Sequence, residues 1–181
     1  MNHRRRYALP LAAALALTLS GTRPVVAQQP APAAAQTADE TEALRLYNTD
    51  KPLAARTRAD RILQTHPDSI VANYVLGSVL REAEGSLPRA MYHLGRSREL
   101  YETRYGFGRP AGAPWQVHRD TLFAIQALAG EMEEHEYQLQ VLEFYDYQYD
   151  PDLLAEHAWP LLHLRRYNEA LAVQLRLDPD S

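Results

Sequence analysis

The stretch IVANYVLGSVLREAEGSLPRAMYHLGRSRELYETRY, residues 70–105, decides the fold, because its pattern is typical of two helices joined by a tight turn. Its first part places mostly apolar residues at steps of three and four, which mark one helix face. These residues are Val71, Tyr74, Val75, Ser78 and Val79. Gly85 and Ser86 supply the turn, and Pro88 follows in the first turn of the next helix, where proline is tolerated. The second part repeats the stripe with Leu87, Ala90, Met91, Leu94, Tyr101 and Tyr105.

Gly77 lies in the middle of the first of these two helices. A glycine at such a position costs about 1 kcal/mol relative to alanine. We therefore expect a neighbouring helix to approach Gly77 too closely for any side chain, which predicts tightly stacked helix pairs.

The same helix signals continue upstream of this pair. We predict one helix over residues 39–48 and a second that ends at residue 65. Asp50 caps the second helix, and Pro52 lies in its first turn. Pro67 ends it, and Asp68 or Ser69 caps the next helix, which reaches about residue 84.

Downstream, residues 106–114 (GFGRPAGAP) form a loop. The helices predicted after it cover residues 115–129, 131–147, 151–164 and 167–177. Gly130 separates the first two, Asp150 caps the third, and Pro160 kinks that helix or begins a new segment. Residues 39–181 show no alternating strand pattern, and the connections are mostly short. The predicted fold class is therefore all-α, with about four antiparallel helix pairs.

These pairs resemble tetratricopeptide repeats, whose period is about 34 residues. The resemblance covers roughly residues 40–181. It rests on Leu76-Gly77, Leu80, Ala90 and Leu94 in the first unit quoted, on Pro67 before it, on Ala158, Leu161 and the run RYNEAL at 166–171, and on Asp178-Pro179. Asn73 stands in place of the family's tryptophan and His135 in place of a small residue, so other α-solenoid families remain compatible.

The resemblance implies a right-handed α-solenoid and a non-enzymatic scaffold that binds a protein or a peptide. In the family, ligands lie along the concave face formed by the first helix of each pair. The matching positions here are Tyr74, Ser78, Arg81 and Trp159, which are the expected peptide-binding residues. Arg81 would meet a carboxylate of the ligand.

No residue pattern indicates catalysis, a cofactor or a metal. The chain has no cysteine, which excludes disulfides and thiolate chemistry, and it has no nucleophile elbow, phosphate-binding glycine loop or H-E-x-x-H. The histidines are scattered. The acidic run around His135 fits the solvated start of a helix, where the helix dipole favours negative charge. The tyrosines, phenylalanines and Trp115 around residues 101–115 and 144–149 either anchor an interface or fill gaps between helices.

The first residues predict export. Residues 1–27 read as a signal peptide, with Arg4, Arg5 and Arg6 before an apolar stretch that is too short to span a bilayer. The general secretory route is favoured over the twin-arginine route. Residues 28–38, rich in alanine, proline and glutamine, read as a disordered linker before the repeat domain at 39–181. Removal of residues 1–27 changes the formal charge from −4 to −8, which argues against nucleic acid and anionic membranes as partners.

The end of the sequence leaves two alternatives open. The helix-start signal of residues 150–152 recurs at 178–180, and the last helix carries apolar residues on more than one side. Repeat arrays usually end in a polar capping helix. We expect the last helix pair to be covered by a partner, or the chain to be a self-associating or truncated piece of a longer repeat protein. A third hypothesis, an envelope hydrolase, has no motif in its favour.

Overall fold

A computed structural model describes residues 37–149 and 151–177. Within these ranges there are eight α-helices, one 3-10 helix and no strand, so the predicted all-α class is confirmed. The predicted signal peptide at 1–27 and most of the linker lie outside the described residues. No helix of the described part has the length and the apolar character needed to cross a membrane.

The helices follow one another with short connections. The first four are α1 (Ala38–Asn48), α2 (Pro52–Thr65), α3 (Ile70–Glu82) and α4 (Leu87–Tyr105). After the loop at 106–114 come α5 (Trp115–Glu131), α6 (His135–Gln148), the 3-10 helix (Pro151–His157), α7 (Ala158–His163) and α8 (Tyr167–Leu177).

Side chains cap the starts of α1 and α3, and the predicted cap at Ser69 is confirmed. Thr37 and Glu40 form a reciprocal capping box at α1, so this helix begins one residue before the predicted start. The Ser69 hydroxyl accepts a hydrogen bond from the Ala72 amide at 3.0 Å and caps α3.

Two local predictions are wrong, and in both a positive φ explains the difference. Asp50 does not cap α2: it has φ 54°, and Lys51 stands at the cap position without a side-chain bond. Gly130 does not separate α5 from α6: it lies in the last turn of α5, and the chain reverses at Glu133, which has φ 60°. The third helix after the loop also differs from expectation, since its first half is a 3-10 helix and α7 begins at Ala158.

Consecutive helices pack as pairs, α1 with α2, α3 with α4, α5 with α6 and α7 with α8. The α3–α4 pair is antiparallel, because Ser97 donates to the Ile70 carbonyl at 2.9 Å while His93 meets Asn73 at 3.0 Å. In addition, α3 contacts both α1 and α5. Helices α1 and α3 run in parallel. Glu40 accepts from Ser69 near their starts, and Glu82 accepts from Tyr47 near their ends.

The centre of the molecule is α3, whose residues 70–80 are all buried. The predicted close approach at Gly77 is confirmed: a Cβ there would lie 2.7 Å from the Leu94 Cγ and 3.0 Å from the Leu94 amide nitrogen. The main core gathers residues from α1 to α6 around this contact. A second, smaller cluster holds the last helices together, with Leu139, Leu161, Ala170 and Val173 at its centre.

Candidate functional site

Tyr74, the first predicted ligand residue, is covered by α1. Its side chain is only 7% exposed, and its ring meets the Tyr47 ring edge-on at 5.8 Å between centroids. The Tyr47 hydroxyl donates to both carboxylate oxygens of Glu82, at 2.9 and 3.0 Å. Burial and the charge of Glu82 raise the pKa of Tyr47 to about 12. Burial also raises the pKa of Tyr74.

Ser78 lies one turn further along α3 and is 1% exposed. Its buried hydroxyl lies near those of Tyr47 and Tyr74 but has no hydrogen-bond partner among the described residues. In this arrangement Ser78 belongs to the packing between α1 and α3, and a ligand on the surface would reach it only if Tyr47 moved.

Arg81 links α3 to α5. Its guanidinium donates twice to one carboxylate oxygen of Glu131, from Nε at 2.9 Å and from a terminal nitrogen at 2.6 Å. The carboxylate expected from a ligand is therefore supplied by the chain itself. Because such charge-assisted pairs are stronger than neutral hydrogen bonds, Arg81 helps to fix α5 beside α3.

Trp159 lies at the start of α7 and is 58% exposed. Its ring packs at 4.3 Å on His163, whose ring packs in turn at 4.3 Å on His135 of α6. The structure brings Tyr74, Ser78 and Arg81 together on α3. Among the described residues, no contact joins Trp159 to them. Their role in binding stays a prediction.

Helix α5 presents a surface stripe that sequence reasoning did not single out. Its residues recur at steps of four, three, four and four, which places them on one helix face: Gln116, Asp120, Phe123, Ala127 and Glu131. Phe123 is 46% exposed, between the buried residues Leu122 and Ala124. The spacing alone could have revealed this stripe, because an acid, a phenylalanine and a second acid share one face of the helix.

Asp120 and Glu131 are the two charged residues of this stripe, and only Glu131 is paired, with Arg81. The Asp120 carboxylate forms no hydrogen bond or ion pair with any residue that the structure describes, and the adjacent Arg119 guanidinium lies over the Tyr145 ring at 5.8 Å. Asp120 is exposed, yet surrounding protein desolvates it enough to raise its pKa. The negative charge of Asp120 also contributes to the raised pKa of Tyr74 on the neighbouring helix α3.

We call this surface, shared by the parallel helices α1, α3 and α5, the odd-helix face. It is defined by Tyr47, Glu82, Arg81, Asp120, Phe123 and Glu131. Its polar groups are paired with one another except for Asp120, and its exposed apolar group is Phe123. The arrangement can hold an extended chain by one charged and one apolar contact, side by side.

The aromatic residues near the loop mostly fill gaps, which is one of the two predicted alternatives. Arg109 of the loop is held between the rings of Trp115, at 5.1 Å, and Tyr149, at 4.7 Å, and it donates to the carbonyls of Gln148 and Tyr149. Tyr101 donates to the Gly108 carbonyl at 2.7 Å. These contacts fasten the loop to α4, α5 and α6.

His118 lies beneath this loop, fully buried and stacked on Tyr101 with 4.1 Å between ring centroids. Its Nδ1 is hydrogen-bonded to the Tyr149 hydroxyl, and its Nε2 faces Glu102 at 3.5 Å, which is too long for a strong bond. Burial alone would raise the pKa of Glu102, but His118 and Arg98 outweigh it and lower that pKa. The network has no exposed histidine nitrogen, so its role is packing.

A cavity of about 600 Å³ opens between the starts of α1 and α3 and the ends of α2 and α4. Several of its charged groups have partners, because Arg104 pairs with Asp68 at 3.3 Å and Glu40 accepts from Ser69. The remaining wall is formed by apolar side chains such as Ile62 and Val71. Arg61 also lines this cavity and forms no hydrogen bond or ion pair with any residue that the structure describes.

The last helix pair carries a patch of large apolar side chains, each between 45% and 60% exposed. We call it the C-terminal patch; it consists of Trp159, Leu162, Tyr167, Leu171, Leu175 and Leu177. Three of these residues, Tyr167, Leu171 and Leu175, follow at steps of four and form a stripe along α8. Contiguous apolar patches of this kind mark interaction surfaces in soluble proteins.

Within residues 37–149 and 151–177, no group of three or more histidine, aspartate or glutamate side chains is placed to hold a metal ion. The sequence matches no protein-family model, and no curated protein matches it at a significant level.

Proposed function

We propose that this chain is a non-enzymatic helical-repeat scaffold, a right-handed α-solenoid of the tetratricopeptide type, that binds a peptide or a protein segment. The observation that carries the proposal is the odd-helix face. Three parallel helices share it, and it leaves Phe123 exposed and the Asp120 carboxylate without a partner. The pairwise packing of consecutive helices and the close contact at Gly77 also support a repeat architecture.

We place this function in the bacterial cell envelope, in the periplasm or outside the cell. The support comes from the sequence: three arginines at 4–6, an apolar stretch up to Leu19, and the small residues Val25, Val26 and Ala27 at a cleavage position. Amino-terminal sequencing of the protein recovered from the envelope tests this placement. A chain that begins at Gln28 supports export, whereas an uncleaved chain in the cytoplasm contradicts it.

Phe123→Ala tests binding at the odd-helix face. The matched control is Tyr92→Ala, which removes an exposed aromatic ring from α4, outside the odd-helix face. Each immobilised protein is incubated with envelope extract, and the retained proteins are compared by mass spectrometry. We expect the wild type and Tyr92→Ala to retain the same proteins and Phe123→Ala to lose them. Equal retention by all three proteins, or no retention by any, would contradict the proposal.

The C-terminal patch favours a second function, self-association through the last helix pair. Leu171 lies in the middle of the α8 stripe and is 59% exposed. Light scattering of Leu171→Glu distinguishes the two functions, with Leu53→Glu on α2 as the control of equal charge and comparable exposure. If the wild type forms a concentration-dependent oligomer that only Leu171→Glu dissolves, self-association is supported. A wild type that stays monomeric at high concentration rules it out.

A further inference from the structure

We propose that the odd-helix face selects a cationic segment, in which an arginine side chain pairs with Asp120 and an adjacent apolar side chain lies on Phe123. This inference rests on the proposed binding function and specifies the chemistry of the partner. It follows from three features of the face: its charge, the unmet carboxylate and the spacing of the two residues.

The charge of the face is negative. Its acids are Glu82, Asp120 and Glu131, and its one cation within the defined set, Arg81, is already bonded to Glu131. Glu82 accepts from Tyr47, a neutral donor, and forms no ion pair with a described residue. A positively charged segment is attracted to such a surface, whereas an acidic one is repelled.

The Asp120 carboxylate accounts for the specific contact. This carboxylate is exposed and forms no hydrogen bond or ion pair with a described residue, so it can pair with a cation from outside the chain. The adjacent Arg119 acts on it only through its charge, because the Arg119 guanidinium lies over the Tyr145 ring.

The two other acids of the face are already hydrogen-bonded, Glu82 to Tyr47 and Glu131 to Arg81. Asp120 has no comparable partner in the described part of the chain, so a cation from outside would complete its coordination.

The position of Phe123 favours arginine over lysine. Asp120 and Phe123 are three residues apart in a helix, so their side chains are neighbours on the same face. A planar guanidinium donates two parallel hydrogen bonds to the carboxylate and can also touch the edge of the Phe123 ring, whose face stays free for the adjacent apolar side chain. The ammonium group of lysine pairs well with a carboxylate, but it has no planar surface to lie against the Phe123 ring.

The test uses the purified chain as bait for a random peptide library, followed by affinity measurements on the selected peptides by fluorescence anisotropy. We expect the enriched peptides to carry arginine next to an apolar residue and to bind more weakly as salt increases. Asp120→Asn should weaken them about tenfold or more, because a charge-assisted bond is lost. Asp60→Asn on α2 is the matched control and should leave the affinity unchanged.

A second arm reverses the charge of the site. Asp120→Lys used as bait should enrich acidic peptides instead of basic ones. This arm does not depend on how strongly the wild type binds, and circular dichroism of the variant shows whether its helices persist.

The outcomes separate this inference from the proposed function. If peptides bind, and Phe123→Ala weakens them while Asp120→Asn does not, then the odd-helix face is a binding site but its selectivity for cations is refuted. The same holds if the enriched peptides carry no basic residue. If no peptide is enriched by the wild type or by the reversed variant, both the inference and the proposed peptide-binding function are overturned.

Discussion

Gly77 of α3 and Leu94 of α4 are in such close contact that a Cβ atom at position 77 would lie 2.7 Å from the Leu94 Cγ. Real Cβ atoms do not approach other atoms this closely, so the glycine is a condition of the helix spacing. Because the Leu94 amide nitrogen lies only 3.0 Å from the same point, rotation of the leucine side chain cannot relieve the clash. The distance between α3 and α4 is thus set by the absence of one methyl group.

Gly77→Ala should therefore destabilise the protein, in spite of the higher helix propensity of alanine. The gain from propensity is about 1 kcal/mol. Overpacking of a dense core costs about 1–3 kcal/mol and should exceed it here, because backbone atoms have to move. Urea unfolding followed by circular dichroism measures the difference in the free energy of unfolding.

Gly95→Ala is the matched control on the partner helix. Gly95 is also inside a helix, but a Cβ there would meet no atom within 4 Å. We expect this variant to be more stable by about 0.5–1 kcal/mol, since only the propensity changes. If both alanine variants are stabilised, the contact between α3 and α4 is looser than described.

Asp120→Asn should leave the stability unchanged or raise it, although it weakens binding. Desolvation raises the folded-state pKa of Asp120 above its ordinary value of 3.8. The folded state then binds the proton more tightly than the unfolded state, so the wild type gains stability as the pH falls through the folded-state pKa and is penalised above it. Melting temperatures at pH 7 and pH 3.5 give the measurement: any advantage of the variant at pH 7 should shrink at pH 3.5. A lower melting temperature of the variant at pH 7 would indicate a structural role for Asp120.

The sequence predicts the helices of this fold because their signals are local. Gly77 is a clear example, since a costly residue inside a strongly periodic helix requires a close neighbour. Asp50 shows the limit of such signals, because aspartate both caps helices and tolerates positive φ, and the structure uses the second property. The predicted helix break at Gly130 is wrong for a related reason. The last turn of a helix tolerates glycine, and the chain reverses direction at Glu133, which has a positive φ.

The candidate site is less predictable, because exposure depends on which helices lie beside each other. Tyr74 and Ser78 occupy positions that face a ligand in the resembling family, but α1 covers them here through Tyr47. The sequence does not show that the Asp120 carboxylate lacks a hydrogen-bond partner, because this depends on the side chains that surround it. Whether Asp120 has a partner depends on the packing of α1, α3 and α5, which no short stretch of sequence predicts.

Arg109→Ala should loosen the loop at 106–114. The variant loses two cation–π contacts, with Trp115 and Tyr149, and the hydrogen bonds to the carbonyls of Gln148 and Tyr149. The expected loss of stability is about 1–2 kcal/mol. Amide hydrogen exchange of the loop residues should become faster, while exchange in α3 changes only through the global stability.

Arg96→Ala provides the comparison for this loop variant. Arg96 pairs with Glu99 at 2.8 Å on the exposed surface of α4, and such pairs contribute about 0–1 kcal/mol. Its removal should leave loop exchange unaltered. Equal loop exchange in the Arg96 and Arg109 variants would show that the aromatic contacts of Arg109 do not hold the loop.

Glu102→Gln should destabilise the protein at neutral pH and have little effect in acid. Burial alone would raise the pKa of Glu102, but the nearby His118 and the hydrogen bond and charge of Arg98 outweigh burial and lower that pKa. A carboxylate with a lowered folded-state pKa adds stability above its unfolded pKa, and this stability is lost as the pH falls through the folded value. The free energy of unfolding of the variant should be lower by about 1–2 kcal/mol at pH 7, and the difference should shrink steadily below pH 4.5.

Glu99→Gln, which removes the exposed partner of Arg96, should show a smaller effect at pH 7. A difference for Glu102→Gln that does not change with pH would mean that its carboxylate charge is not the stabilising element, and that the side chain acts through its shape alone.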